Sequence, residues 1–527
     1  MQYCIVFEHI NTMMPNRNTD ILFQLIHALE KSEKRNFKLY IQRSSGNKDL
    51  KVIELFDAID KLNDYDEARL LQKLASIKKP QLANAKAHLY KQILASLRVI
   101  KTTESIDLQL HEQLDYARIL YNKGLYHQSL KILEKVKELA IEYNQDSFII
   151  QVISLEKKIE TLHITRSMQN RAEKLSMEAD EVNAKRGIIT KLSNLALHLY
   201  SWYIRSGHAR NEQEAKAVKI FFKIHLPAYV KPRGFYEQLY YHQSYCWYAF
   251  IRQDFLMYYR HTQKWVDLFV GQPSMIAIES GHYIKGMHNL MNAHFDLRNF
   301  RKFEETIQQF QLFSHTDVAN LHANNRVQTF IYLSNARINH HMITGSFEEG
   351  LKLIPVIEEK LDEYKLFLDL HRVLVLNYKI ATLHFAAGNY DISIDYLRRI
   401  INGNADLRND IQCYSRLLHL LAHYELGNFE IMDHLIKSVY RFMRRMENLS
   451  ALEEEMFSFL KKNSHLKPTD LKPAFHGFLE KIKSLEKQPY QARAFAYLDI
   501  ISWVESKIEN KTLAAIIRQK YLASKRK

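Results

Sequence analysis

The chain is 527 residues long, 46% hydrophobic and 25% charged, with 14 Gly and 9 Pro, which is too long for one ordinary globular core and favours long helices over sheets. No run approaches the roughly 18 uncharged apolar residues of a membrane span, the start lacks a signal peptide's basic region, and Cys4, Cys246 and Cys413 form neither a disulfide framework nor a zinc pattern. The net charge of +15 gathers at both ends and in the middle rather than along a continuous basic track, and together these features predict a cytoplasmic protein.

In chain order, residues 1–19 are polar, contain Pro15, and are expected to be a disordered leader. Met13 and Met14 offer alternative starts, which would leave residues 1–12 untranslated. Residues 20–104 read as an N-terminal helical domain. A helix is predicted from Asp20 to Lys34, with Leu22, Leu25, Ile26 and Leu29 on one face, and another from Asp49 to Leu62, with Val52, Leu55, Phe56 and Ile59 at helical spacing. Asn63 to Ala68 opens a further helix, Lys78-Lys79-Pro80 breaks the chain, and Gln81 to Ile100 forms a long helix.

Residues 105–449 repeat a seven-residue phrase. It reads His294-Phe295-Asp296-Leu297-Arg298-Asn299-Phe300, then His341 to Phe347, His384 to Tyr390 and His423 to Phe429. Each copy has His at position one, a bulky apolar residue at two, Asn or Ser at six and an aromatic at seven. Weaker copies end at Tyr126, near Met168, at His208 and at Phe255, so successive ends lie 39–47 residues apart. A period of this size predicts an all-α solenoid, in which no unit buries its own apolar face. Positions one to four end a first helix. Gly124, Gly345, Gly388 and Gly427 make the turn, because glycine accepts left-handed backbone angles. Phe300, Phe347, Tyr390 and Phe429 then open the second, antiparallel helix, often with an acidic residue in its first turn.

The turns resemble those of the tetratricopeptide repeat family, most closely in Asn63-Asp64-Tyr65-Asp66-Glu67-Ala68 and Gly388-Asn389-Tyr390-Asp391-Ile392-Ser393. The resemblance covers about residues 108–446. It departs from the family in its longer period and in Tyr258, Phe303 and Met432, which stand where a small residue is the rule. It implies a right-handed solenoid of antiparallel helix pairs, with helical caps at both ends, whose first helices line a concave peptide groove. The corresponding positions are Lys285, His288, Asn289 and Asn292, then Tyr332, Asn335 and Asn339, then Tyr378, Lys379 and Thr382. Steps of three and four keep each set on one helix face. Asn can bond an extended backbone on both sides and Lys can meet a carboxylate, although the family's carboxylate-clamp pattern is not reproduced residue for residue. HEAT-type repeats are the alternative architecture.

Residues 450–527 read as a C-terminal helical cap. Ser450 to Lys461 is a helix with Glu453-Glu454-Glu455 in its first turn, and Pro468, Pro473 and Pro489 punctuate the rest. Lys511 to Lys527 is a basic amphipathic helix with Leu513, Ile516, Ile517 and Tyr521 on one face. Its simplest role is to cover the end of the array; docking on an acidic partner or an anionic membrane surface is the rival.

The histidine ladder at position one suits metal binding or proton sensing, but members one repeat apart stand too far from one another for one ion, and helix-end packing is the simpler reading. His419 and His423 make at most half a zinc site. Residues 229–269 hold 14 aromatics, among them Tyr240, Tyr241, Tyr245, Trp247, Tyr248, Tyr258, Tyr259 and Trp265, with Arg233, Arg252 and Arg260 between them. Such a surface suits base stacking, and equally a packed core. Phosphate-binding, dinucleotide, nucleophile-elbow and Cys-x-x-Cys motifs are absent from the sequence. The reading is a non-enzymatic scaffold for a protein or peptide partner, without cofactor, metal or small-molecule substrate. The alternative is an RNA- or single-stranded-DNA-binding repeat protein.

Overall fold

The computed structural model describes residues 20–44, 50–74, 76–101, 105–163, 170–228, 231–365, 367–403, 408–447, 449–463, 471–486 and 499–525. The expectations for residues 1–19, for the copy near Met168 and for Pro468 and Pro489 lie outside them. Among the described residues the protein is all-helical, with no strand, and no helix is long and apolar enough to cross a membrane. The chain divides into two compact units, residues 1–182 and 183–527.

In the first unit, Leu22, Phe23, Ile26, Phe37, Phe56, Ile59, Leu89 and Ile93 form one core, and Leu110, Leu114, Leu133, Val136, Phe148 and Val152 another. The single helix expected over 20–34 is two, Ile21–Ala28 and Lys31–Ser44. The chain breaks at Leu29, which turns extended, and the Glu33 carboxylate then takes the Glu30 N–H at 2.9 Å, starting a new helix. Pro80 sits in the first turn of Lys79–Lys101 rather than ahead of it, where its missing N–H leaves no bond unmade.

In the second unit, after the end of Arg171–Ser206, the helices around the repeated phrase are Phe235–Ile251, Phe255–Gly271, Ser280–Asp296, Phe300–Ser314, Ala323–Thr344, Leu370–Ala386, Tyr390–Ile401, Asn409–Glu425 and Phe429–Arg445. Helices joined by the seven-residue phrase pack on one another, and the helix before the phrase also packs on its counterpart in the next copy. One apolar core runs from Val266 through the later of these helices to Ile517, while Phe235–Ile251 packs in two smaller clusters.

The backbone of the phrase explains its residues. The N–H of position six bonds the carbonyl of position one: Asn299 to His294 at 2.9 Å, Ser346 to His341 at 3.2 Å, Asn389 to His384 at 2.9 Å and Asn428 to His423 at 3.1 Å. The N–H of position five bonds position two, as in Gly388 to Phe385 at 3.0 Å and Gly427 to Tyr424 at 3.1 Å. This pair of bonds is a Schellman cap, which needs a left-handed residue at position five. Gly345, Gly388 and Gly427 supply it with φ of 70°, 86° and 73°, and Gly124 does so in the first unit with φ 77°. Phe300, Phe347, Tyr390 and Phe429 are each the first residue of the next helix.

Arg298 holds the same place with φ 55°, and Gln253 with φ 61°. A side chain there is strained by about 1 kcal/mol. The Arg298–Glu486 ion pair, 3.3 Å with Arg298 largely exposed, is a surface pair and offsets little of that. Arg298→Gly is therefore expected to raise stability by about 0.5–1 kcal/mol in urea unfolding. A loss of that size instead would mean the arginine's contacts outweigh its backbone strain.

The C-terminal helix, Leu513–Lys525, packs on Ile500–Glu509 and on Ala323–Thr344. Ile516, Ile517 and Tyr521 are buried there. Tyr521 donates to the Glu304 carboxylate and its ring lies 5.8 Å from that of Phe300. Behind it, Trp503 Nε1 and Lys507 Nζ both donate to the Glu425 carboxylate at 2.5 Å. The last helices thus run back beside the turns of earlier copies.

Candidate functional site

The stripe Lys285–His288–Asn292 continues by helical steps to Asp296 on Ser280–Asp296. Lys285 Nζ lies 3.5 Å from the Tyr332 hydroxyl and 5.2–5.7 Å from the ring centres of Tyr332, Trp247 and Tyr200, a cation framed by three aromatic faces. Burial alone would draw its proton affinity down, but Tyr332 and Tyr200 hold it up. His288 stacks on the Tyr332 ring at 3.9 Å, and the Asn292 amide donates to its Nε2 at 3.1 Å. Burial first, then Lys285 and Lys379, hold that imidazole neutral, well below the ordinary range.

Lys379 Nζ donates to Asn339 Oδ1 at 2.5 Å. Burial pulls Lys379 down to about 8, against the opposite pull of Asp296. Burial pushes Asp296 up to about 7, against Lys379. Arg372 pairs with Asp369 at 3.2 Å and also faces the Tyr332 hydroxyl. Arg408, at φ 55°, grips Asp410 with two bonds of 2.8 and 2.7 Å, reaches His371 Nε2 at 3.4 Å and lies 5.9 Å from the Tyr203 ring. The Tyr203 ring in turn stacks on Trp247 at 5.8 Å.

These contacts run through successive helices of the second unit from Tyr203 through Trp247, Lys285 and Tyr332 to Arg372, and Arg408 reaches back from His371, the chain neighbour of Arg372, to Tyr203. Elsewhere in the second unit, Arg210 Nη1 donates to the Glu447 carbonyl at 2.8 Å, joining residues 237 positions apart. The four cations along this path and beside it, Lys285, Arg372, Lys379 and Arg408, all keep partial exposure, so water reaches them although protein surrounds them.

Of the residues chosen from sequence, Lys285, His288, Asn292, Tyr332, Asn339 and Lys379 meet in this network. Asn289 and Asn335 are almost fully buried, and among the described residues the Nδ2 of the first and the Oδ1 of the second have no hydrogen-bond partner. Tyr378 is buried, with its proton affinity raised by burial, and the Thr382 hydroxyl bonds the Tyr378 carbonyl at 2.8 Å rather than anything beyond its own helix. Sequence reasoning missed Asp296, Arg372, Arg408, Asp410, Tyr200 and Tyr203. The helical steps from Asn292 to Asp296 and from Arg372 to Lys379 were signals for two of them. Arg408 precedes a helix in a left-handed conformation, and no sequence pattern marks it.

The ladder histidines are neutral rather than cationic caps. Burial lowers His294 to about 4 and also lowers His341, His384 and His423. His341 Nδ1 pairs with the Ser346 hydroxyl at 2.8 Å, and His423 Nδ1 takes the Asn428 amide at 3.0 Å; the rings thus serve the side chain at position six. His384 stacks over Tyr396 at 5.6 Å. His419 and His423 meet edge to face at 4.5 Å. In the aromatic-rich stretch, Tyr258 and Trp265 are 1% exposed, and Trp247 and Tyr248 7%, so these rings have little face to offer a base. Tyr245 stacks on His261 at 4.3 Å, and Arg252 donates to the Tyr248 hydroxyl at 2.8 Å.

No protein-family model and no curated protein matches this chain.

Proposed function

We propose that this chain is a non-catalytic protein- or peptide-binding scaffold, a right-handed solenoid of antiparallel, tetratricopeptide-like helix pairs that receives its partner on the inner face of Ser280–Asp296, Ala323–Thr344 and Leu370–Ala386. The observation that carries the reading is the convergence of the inner-face set. Six residues at helical spacing on three separate helices gather there: Lys285–Tyr332 and His288–Asn292 bonds are joined by the His288–Tyr332 stack, and the Lys379–Asn339 pair stands close enough for the Lys379 charge to act on His288. Polar side chains gathered inside a helical array are costly unless they are matched, and orphaned amides among them are costlier still. Asn289 and Asn335 carry such orphans, and an extended chain offers both the acceptor and the donor that they lack.

The test is a triple variant, Asn292→Ala, Asn335→Ala and Asn339→Ala, compared with the native chain in pull-downs from the source organism. Helicity is expected to be unchanged, and recovery of a specific partner is expected to fall at least about tenfold, the loss of one or two strong hydrogen bonds. An identical set of partners at identical yield would remove the inner face from the binding surface.

A further inference from the structure

We propose that the helices opening the second unit, Glu212–His225 with the end of Arg171–Ser206, form a docking face for the surface of an anionic lipid bilayer. The face is separate from the inner-face set and from the last helix. Its first ground is charge. Residues 183–236 hold ten Lys and Arg against two Asp and Glu, more than half of the chain's net charge of +15. The second ground is what these helices leave in water. Glu212–His225 turns Ala215, Val218 and Phe222 inward, while Ile220 is 59% and Ile224 72% exposed. Steps of three and four place Lys216, Lys219 and Lys223 beside the two isoleucines. Lys216 pairs with Glu212 at 2.9 Å. Lys219 and Lys223 are exposed, with no ion-pair partner among the described residues. Phe221 ties the helix to Arg171–Ser206, its ring centre 6.1 Å from that of His198 and 6.4 Å from that of Trp202. Leu197, next to His198 in the chain, is 63% exposed, and Arg205, one turn beyond Trp202, is exposed as well.

A single apolar side chain on a surface needs no explanation. Here three large ones stand on two adjoining helices, with unmatched cations and a half-buried tryptophan beside them. That is the composition of a helix lying in the headgroup layer of a membrane. Apolar tips reach the acyl boundary, and lysine stems run along it and lift their charges to the lipid phosphates. A protein partner fits this face less well, because lysine is depleted at protein interfaces. A nucleic-acid strand would use the cations, but isoleucine offers a base neither a stacking face nor a hydrogen bond.

The experiment uses the full chain and vesicles of phosphatidylcholine, either alone or with about one third phosphatidylglycerol. Cosedimentation is expected to show binding at least tenfold tighter to the anionic vesicles, weakening as salt rises. Ile220→Gln with Ile224→Gln is expected to lose tenfold or more on anionic vesicles. It is expected to melt with the native chain, since both side chains already stand in water. Ile220→Leu with Ile224→Leu is expected to keep native binding. Lys219→Gln with Lys223→Gln is expected to lose about fivefold or more on anionic vesicles and nothing on neutral ones.

No binding to anionic vesicles, or equal binding to both kinds, overturns the proposal. So does native binding by the Ile220→Gln, Ile224→Gln variant, which would place the contact elsewhere on the chain, the basic last helix included. A marked fall in that variant's melting temperature overturns it too, because the isoleucines would then be part of a packed core. Retention on single-stranded RNA at low salt, lost in the lysine variant and native in the isoleucine variant while vesicles stay unbound, assigns the face to nucleic acid and overturns the lipid source.

Discussion

Gly345→Val is expected to destabilise the protein by about 3 kcal/mol or more, whereas Gly388→Val costs about 1 kcal/mol or slightly more. Both glycines hold the left-handed place of the same turn, with φ of 70° and 86°, so the backbone strain of a branched side chain is alike at the two. The space around them differs. A Cβ on Gly388 meets nothing within 4 Å, whereas one on Gly345 falls 2.7 Å from the Ala514 carbonyl oxygen and 2.9 Å from the Arg518 nitrogen. Those are backbone atoms of Leu513–Lys525 and cannot swing aside as a side chain would, so the helix has to shift.

That helix buries Ile516, Ile517 and Tyr521. At roughly 1.5–3 kcal/mol for each large apolar side chain removed from water, deleting residues 510–527 is expected to lower stability by several kcal/mol. The two changes act through one contact, so they are not additive. In the deletion background Gly345→Val is expected to cost no more than Gly388→Val. Urea unfolding of the two glycine variants, with and without the deletion, makes the measurement. Equal losses at the two glycines in the intact chain would show that Leu513–Lys525 is not seated on this turn.

The seven-residue phrase was legible because its chemistry is local. A Schellman turn needs a left-handed residue at one position and leaves an aromatic to open the next helix, and both leave a mark in sequence. Arg298 and Gln253 show where the mark fails. They adopt the same backbone without glycine, held by the bonds on either side. The inner-face stripe was legible for the same reason, since steps of three and four along Ser280–Asp296 need only one helix to be correct. Arg408, Tyr200 and Tyr203 were not legible. They reach the site through packing between helices far apart in the chain, as Tyr203 and Arg408 do, and no local pattern encodes that. The aromatic stretch carried both of its alternatives in sequence. Whether Trp265 and Tyr258 face outward or inward depends on neighbours such as Phe269 and Ala293, with which they form one core. The break at Leu29 was hidden because its apolar side chain continues the helical stripe while its backbone leaves the helix.

The same burial that hides the imidazoles is expected to make the protein acid-labile. Burial lowers His242, His261, His294, His371 and His419 to about 4, with further depression from neighbouring positive charge. In the unfolded chain they titrate near 6.5. Between these values the unfolded state binds more protons, so stability is full above pH 6.5 and is lost as pH falls toward 4. At pH 5 each ring would contribute a loss of about 2 kcal/mol if fully dry, and roughly half that once water around the partly exposed rings is allowed for. The five together give about 5 kcal/mol. Asp296 works the other way. Its proton affinity is raised to about 7, so its contribution is present at low pH and lost as pH rises through 7; it offsets about 1 kcal/mol of the loss on the same discount. Lys379, lowered to about 8, is mostly protonated by pH 7 and changes little below it. A net loss of at least about 4 kcal/mol from pH 7.5 to pH 5 is therefore expected, since His288, His341, His384 and His423 are lowered in the same direction, read as a shift of the urea midpoint. His294→Gln and His371→Gln should each flatten the dependence, because a glutamine does not titrate. A midpoint that stays constant from pH 7.5 to pH 5, or variants that keep the native slope, would show that these rings take up protons as readily folded as unfolded.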